Sequence, residues 1–247
     1  MIIANWKCNG SKKMIQDWSK HYKDTYIPFE NTFVGIAPPY IYVEQLINFI
    51  NEHGLDIQIG VQDIDISSGA RTGAISVDMI QDMECQFTIL GHSERRTIFD
   101  ESNESVSAKL DSVGNNKVAS ILCVGESTKE NNDKETRNVL EDQLSVIEGK
   151  VLPLSFSIAY EPVWAIGTGN TPTSQEINDI HKFIKDVVQS FSTNNLVPDV
   201  LYGGSVTDKN AIGFFNQDFV DGALIGGASL DGSVFAEIVN IFNGTKN

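Results

Sequence analysis

Eight short runs of β-forming residues recur along the chain, and segments with the periodicity of amphipathic helices separate them. The predicted strands are Ile2–Lys7, Thr32–Ala37, Asp56–Gln62, Phe87–Gly91, Val118–Val124, Phe156–Glu161, Asp199–Gly203 and Asp221–Gly226. Several of these runs, such as VASILCV, are almost continuously apolar, which is typical of strands buried on both faces. Eight units in 247 residues average about 31 residues each, the length of one β–α unit.

This repeat predicts an α/β protein with a (β/α)₈ barrel, formed as a single domain over residues 1–247. No linker or low-complexity segment interrupts the pattern. An open doubly wound sheet is the alternative, although such sheets usually contain fewer strands. In a barrel the carboxyl ends of the strands form the active face, so polar residues at those ends are the candidate functional residues.

Two helical stripes support the strand–helix alternation, because their apolar residues recur at steps of three and four. The first stripe consists of Ile177, Ile180, Ile184, Val187 and Phe191, and the second of Leu140, Leu144, Ile147 and Val151. Thr173 or Ser174 is the expected N-cap of the first helix, with Glu176 in its first turn.

The net charge and the cysteine content indicate which partners and which cellular compartment the protein is expected to have. The chain has 33 acidic and 18 basic residues, a net charge of −15, which disfavours nucleic acid and anionic membranes as partners. It has no run of 18 apolar residues and no signal-peptide pattern at its start. Three cysteines without a pairing pattern indicate reduced thiols, so we expect a cytoplasmic protein. No metal-binding spacing or dinucleotide motif occurs, so we expect no metal and no cofactor.

Polar residues end the first and the fourth predicted strands. Asn5 and Lys7 should share one face of a strand, with Trp6 on the other, unless Lys7 snorkels and Asn5 caps a turn. His92 precedes a helix whose positive end favours the neutral imidazole, although a structural histidine is the alternative. Glu94 and the two following arginines also fit a surface ion cluster, and we expect that arrangement for Arg96.

The sixth predicted strand ends in Glu161, a carboxylate that is costly to bury unless it has a function. The next residues combine a rigid proline, four apolar residues and two glycines. They are Pro162, Val163, Trp164, Ala165, Ile166, Gly167, Thr168 and Gly169. A lid that closes over a ligand and excludes water explains this composition, whereas an ordinary packed loop is the alternative.

Glycine pairs follow the seventh and the eighth predicted strands, in Gly203-Gly204-Ser205 and Gly226-Gly227. Backbone amides at such turns can bind phosphate, and loops seven and eight are the usual phosphate site of these barrels. Either pair could also mark an ordinary turn.

Five segments together are similar to the triosephosphate isomerase family: ANWKCNG, LGHSERR, IAYEPVWAIGTG, LYGGSV and LIGGASL. They occur in the family's order and extend over Ala4–Leu230. The resemblance implies an isomerase of glycolysis and gluconeogenesis that interconverts glyceraldehyde 3-phosphate and dihydroxyacetone phosphate without a cofactor. It implies that Glu161 is the base, His92 a neutral electrophile, Asn5 and Lys7 substrate ligands, and Glu94 a support for Lys7. It implies that the phosphate is bound by backbone amides at Gly167, Ser205, Gly226 and Gly227.

The same resemblance implies a homodimer, with Cys8 at the interface and Thr72 near the partner's active site. The chain has Ala74 where the family usually has a glutamate that pairs with the residue here numbered Arg95. For Cys123 we expect a packing role. Two other readings are a different sugar-phosphate barrel enzyme, such as a pentose-phosphate epimerase, and a catalytically silent phosphate-binding barrel.

Overall fold

A computed structural model describes residues 1–29, 32–114, 116–132, 134–165 and 172–246. Within these ranges eight parallel strands pair in chain order, and the eighth pairs with the first to close a barrel. The strands are β1 (Ile2–Asn5), β2 (Val34–Ala37), β3 (Gln58–Val61), β4 (Phe87–Leu90), β5 (Ala119–Val124), β6 (Ser157–Tyr160), β7 (Asp199–Tyr202) and β8 (Gly222–Ile225). The prediction of a single (β/α)₈ barrel is therefore confirmed.

The helices of the described residues surround the barrel. They are α1 (Lys12–Thr25), α2 (Val43–His53), α3 (Val77–Asp82), α4 (Ser93–Ile98), α5 (Asn103–Val113), α6 (Thr128–Asn132), α7 (Thr136–Leu144), α8 (Ser174–Phe191), α9 (Ala211–Phe215) and α10 (Gly232–Thr245). Helix α8 begins as predicted, because Thr173 and Glu176 form a reciprocal capping box. Within the described ranges, no helix has the length and apolar content that a bilayer crossing requires.

The second predicted stripe does not form one continuous helix. Helix α7 ends at Leu144 and tightens into a 3₁₀ turn over Ser145–Ile147. Gly149 then adopts a left-handed conformation with φ of 73°. The step from Leu144 to Ile147 fits a 3₁₀ turn as well as an α-helix, so both residues are buried, whereas Val151 is 76% exposed.

Side-chain alternation along the strands divides the core into two layers. The smaller layer takes alternate strand residues, including Ile3, Ile89, Ile121, Leu201 and Leu224, and we assign it to the barrel interior. The larger layer lies between the strands and the helices. Because side chains alternate, a residue two positions after an interior residue also faces inward; Asn5, for example, follows Ile3 in this way. Residues at the carboxyl ends of several strands therefore point into the mouth of the barrel.

Most strands end before the predicted boundary, so Lys7, His92 and Glu161 lie beyond the strand ends, whereas Asn5 is the last residue of β1. Strand β1 ends at Asn5, and Lys7 then takes a left-handed conformation with φ of 49°. Strand β4 ends at Leu90, and Gly91 follows with φ of 65°. Lys7 and His92 therefore lie beyond the barrel ladder and are held by turn geometry, whereas Asn5 pairs with Ala37 within it.

Candidate active site

A cavity of about 290 Å³ lies at the carboxyl ends of the strands. It brings together four side chains from three separate parts of the chain: Asn5, Lys7, His92 and Glu161. Glycine-rich turns complete its wall, including Gly203, Gly204, Ser205, Gly226 and Gly227. The polar residues at the ends of β1, β4 and β6 therefore share one small chamber with both glycine turns.

Glu161 follows β6 and is only 2% exposed. One carboxylate oxygen lies 2.8 Å from Nε2 of His92, and the other accepts the backbone N–H of Ser93 at 2.9 Å. A Cβ atom on Gly203 would lie 2.8 Å from Cγ of Glu161, so only glycine permits this close packing. Burial raises the pKa of Glu161, but the charge and hydrogen bond of His92, the Ser93 N–H and the charge of Lys7 lower it by more. The result is a buried carboxylate that stays ionised at neutral pH.

His92 is the N-cap of α4, and its Nδ1 accepts the backbone N–H of Glu94 at 3.2 Å. This bond leaves the proton of the neutral ring on Nε2, directed at Glu161. Burial lowers the pKa of His92, but the carboxylates of Glu161 and Glu94 raise it by more. The N-terminus of α4 accounts for the hydrogen bond at Nδ1, but these two carboxylates favour the cation over the neutral imidazole that the sequence predicts.

The Lys7 ammonium enters the same cavity and pairs with Oε1 of Glu94 at 2.7 Å. Two hydrogen bonds hold its left-handed backbone: Lys7 N–H donates to Oδ1 of Asn5 at 2.9 Å, and Gln62 Nε2 donates to the Lys7 carbonyl at 2.8 Å. Asn5 thus caps the turn and also lines the cavity. The sequence reasoning missed Gln62, although its position directly after β3 was the available signal.

The start of the predicted lid is anchored to the loop after β5. Val163–Ala165 form a 3₁₀ turn, and Trp164 Nε1 donates to Glu126 at 2.7 Å. Tyr160 O–H donates to both oxygens of the same carboxylate at 3.1 Å. Burial raises the pKa of Glu126, and these hydrogen bonds reverse only part of the rise. Glu126 was not identified from the sequence either. The only indication there was a carboxylate that follows a buried strand.

The rest of the predicted lid, Ile166, Gly167, Thr168 and Gly169, lies outside the described residues. Pro162 is buried next to Glu161. Ser205 Oγ donates to the Ala165 carbonyl at 3.1 Å, which joins the start of the lid to the turn after β7. This hydrogen bond therefore connects the start of the predicted lid to one of the two glycine-rich turns.

The two arginines of α4 have different surroundings. Arg95 Nε lies 3.0 Å from Asp63 and 3.4 Å from Glu101, and buried Lys109 binds both of these carboxylates. Arg95 thus has acidic partners within its own chain despite Ala74. The expectation that Arg96 belongs to a surface ion cluster was wrong, because its guanidinium turns inward and donates to the Gly91 carbonyl at 2.8 Å.

Three further predicted residues do not line the substrate cavity. Cys123 is fully buried, and burial keeps the pKa of its thiol well above the ordinary value, which suits packing rather than nucleophilic attack. Cys8 and Thr72 are exposed. Large apolar side chains are exposed on the loops and helices that follow β2, β3 and β4: Ile41, Ile66, Met79, Met83, Ile98 and Phe99.

Comparison with known proteins gives one consistent result. A sequence model of the family described as triosephosphate isomerase matches residues 1–242. A protein named triosephosphate isomerase from Erwinia tasmaniensis is 38% identical over 244 residues, which are 97% of this chain and 95% of that protein. Proteins of the same name from Buchnera aphidicola subsp. Cinara cedri and Serratia proteamaculans are 38% identical over 249 residues and 37% identical over 244 residues. The first covers 98% of both chains, and the second 97% of this chain and 95% of the relative.

Proposed function

Because the chain belongs to the triosephosphate isomerase family, we propose that Asn5, Lys7, His92 and Glu161 are the residues that perform its reaction. The protein is an isomerase that interconverts D-glyceraldehyde 3-phosphate and dihydroxyacetone phosphate, a step of glycolysis and gluconeogenesis. The two sugars differ by one proton moved between adjacent carbons. The reaction needs a base beside both carbons and positive charge beside both oxygens.

Glu161 is the base in this proposal. Its net lowered pKa favours the carboxylate form, and its position in the wall of the cavity supports a contact with a bound triose. To reach a substrate carbon it must leave the donors His92 and Ser93, which hold it here. Loss of those two hydrogen bonds raises its pKa, since burial remains and only the nearby charges of His92 and Lys7 still lower it. The carboxylate therefore becomes a stronger base when it turns toward the substrate. The same carboxyl group then returns the proton to the neighbouring carbon.

The other three side chains stabilise the enediolate. His92 directs its Nε2 proton into the cavity, and Lys7 supplies a full positive charge there. Asn5 orients the Lys7 turn through its Oδ1. Glu94 keeps the ammonium in place through the 2.7 Å ion pair. Fixed donors of this kind stabilise an oxyanion without reorganising during the reaction.

The glycine-rich turns hold the substrate phosphate in this account, through amides at Ser205, Gly226, Gly227 and Gly167. A lid over residues 162–169 excludes water, so that the enediolate does not expel its phosphate. The hydrogen bond from Ser205 to the Ala165 carbonyl supports a link between phosphate binding and the start of the lid.

The observation that carries the assignment is the buried contact of 2.8 Å between Glu161 and His92, inside a cavity that also holds the Lys7 ammonium. A coupled assay in both directions, with and without a chelator, tests it. We expect turnover of both triose phosphates with no effect of the chelator. Turnover of a pentose phosphate instead, or loss of activity with the chelator, would favour another sugar-phosphate enzyme, and phosphate binding without turnover would indicate a silent barrel.

We also propose that the protein is a cytoplasmic homodimer. The large apolar side chains exposed on the loops and helices that follow β2, β3 and β4 support a partner surface, because burying apolar area against a partner is favourable. Three unpaired cysteines agree with a reducing compartment. Light scattering after size-exclusion chromatography tests the dimer, since the expected mass is twice that of one 27.2 kDa chain. Cell fractionation tests the location.

A further inference from the structure

Arg96 lies close to the reacting groups without entering the substrate cavity. It borders a second cavity of about 190 Å³, which is also lined by Gly91, Ser93 and Glu161. Among the described residues, Arg96 makes side-chain hydrogen bonds to the Gly91 carbonyl at 2.8 Å and to Oδ1 of Asn103 at 2.7 Å. Its third nitrogen, Nη2, is buried without a hydrogen-bond partner in those ranges.

The guanidinium lies against the turn that joins β4 to His92. Gly91 forms this turn with φ of 65°, and a Cβ atom there would lie 2.9 Å from Nη2 of Arg96. The two groups are therefore packed together as well as hydrogen bonded. Gly91 is buried, so its carbonyl depends on a protein partner, and Arg96 supplies one.

The turn sets the position of both donors that hold the base. His92 follows Gly91 directly and contacts Glu161 through Nε2, and the next residue, Ser93, donates its backbone N–H to the other carboxylate oxygen. A change in the Gly91 turn would move the two donors together. An error of about 1 Å in such a site can lower a rate by about a hundredfold.

We propose that Arg96 is a positioning residue for the isomerisation: its guanidinium fixes the Gly91 turn and through it the orientation of His92 and Ser93. This inference rests on the proposed roles of His92 and Glu161. It assigns Arg96 no contact with the substrate.

Arg96→Met is the first test, because it removes both hydrogen bonds but keeps an unbranched side chain. We expect kcat to fall about 10- to 100-fold. The KM and the inhibition constant of inorganic phosphate should stay within about twofold, because Ser205, Gly226 and Gly227 are remote from the Gly91 turn along the chain and do not border the second cavity. Asn103→Ala is the matched control, since it removes the outer partner of Arg96 and the Asn103 bonds to Asp142 but keeps the bond to Gly91. Its kcat should stay within about twofold of the wild type.

Arg96→Lys keeps the charge but loses the two-pronged geometry, so it serves if Arg96→Met does not fold. We expect its kcat per folded molecule to fall about tenfold. In a His92→Gln background the same substitution should lower kcat by a smaller factor than in the wild type, because one of the two donors through which Arg96 acts is gone and only Ser93 remains.

The outcomes separate the inference from the function on which it rests. An Arg96→Lys loss that is undiminished in the His92→Gln background overturns the positioning role, and so does wild-type kcat in both Arg96 variants. A His92→Gln enzyme with wild-type kcat overturns the proposed role of His92 itself. A rise in KM or in the phosphate inhibition constant that accounts for the whole loss shows that Arg96 acts on binding, which also contradicts the inference.

Discussion

His181 should make the protein less stable in mild acid. It lies on α8, is fully buried, and its Nδ1 is 3.2 Å from the Phe219 carbonyl. Burial lowers the pKa of His181 to about 3. The unfolded chain binds a proton at an ordinary histidine pKa of about 6.5, whereas the folded chain does so only in strong acid. Folding free energy is therefore lost as the pH falls below about 6.5.

The size of this loss follows from the two pKa values. Between pH 7 and pH 5 the folded state stays neutral at His181 while the unfolded state becomes protonated, which removes about 2 kcal/mol from the free energy of unfolding. The figure depends almost entirely on the unfolded value, because pH 5 lies well above the folded pKa of about 3. His181→Asn keeps a donor near the position of Nδ1 but cannot titrate, so its pH-dependent loss should be smaller by that amount.

Urea unfolding at pH 7 and pH 5, at one fixed protein concentration, measures the difference. His21→Asn is the matched control, because His21 is exposed on α1. It should lose the same stability as the wild type between the two pH values. Equal losses for the wild type and His181→Asn would refute the reasoning from burial.

Three further predictions follow from the site and its surroundings. Lys7→Met should lower kcat/KM at least about a hundredfold in the coupled assay, because it removes the ammonium that pairs with Glu94 and lines the cavity; a loss below about tenfold contradicts this role. Because burial raises the pKa of Glu126, Trp164 fluorescence should change on acidification at a pH above the ordinary glutamate value of about 4.3, and Glu126→Gln should abolish that change. Phe99, 65% exposed, should lie in the dimer interface, so Phe99→Asp should sediment as a monomer, and a variant that remains dimeric would exclude Phe99 from the contact.

The barrel could be predicted from the sequence because its signal is periodic and repeated. Eight apolar runs that alternate with helix-length segments leave few other architectures, and the apolar steps around Ile177 predict α8 with its cap. The strand ends were less predictable. Lys7 leaves the strand through a left-handed turn that depends on Gln62, a residue 55 positions away in the sequence. Tertiary contacts of this kind override local propensity.

The candidate site likewise contains residues that the sequence identifies and residues that it does not. Asn5, His92 and Glu161 could be identified because a polar residue at the end of a buried strand is costly without a function. Arg96 could not, since an arginine next to another arginine on a short helix has the sequence appearance of a surface residue. Its inward turn depends on Gly91, which leaves space for the guanidinium and accepts a hydrogen bond from it.

The central claim is that the Glu161 carboxylate carries the proton between the two substrate carbons. The most direct measurement is isomerisation in D₂O, with the deuterium content of the product followed by mass spectrometry for the wild type and for Glu161→Gln. We predict deuterium at the carbon that receives the proton in the wild type, and a loss of turnover and labelling of about 10²- to 10⁴-fold in the variant. Turnover within about tenfold of the wild type in Glu161→Gln, with the same labelling, would contradict the account.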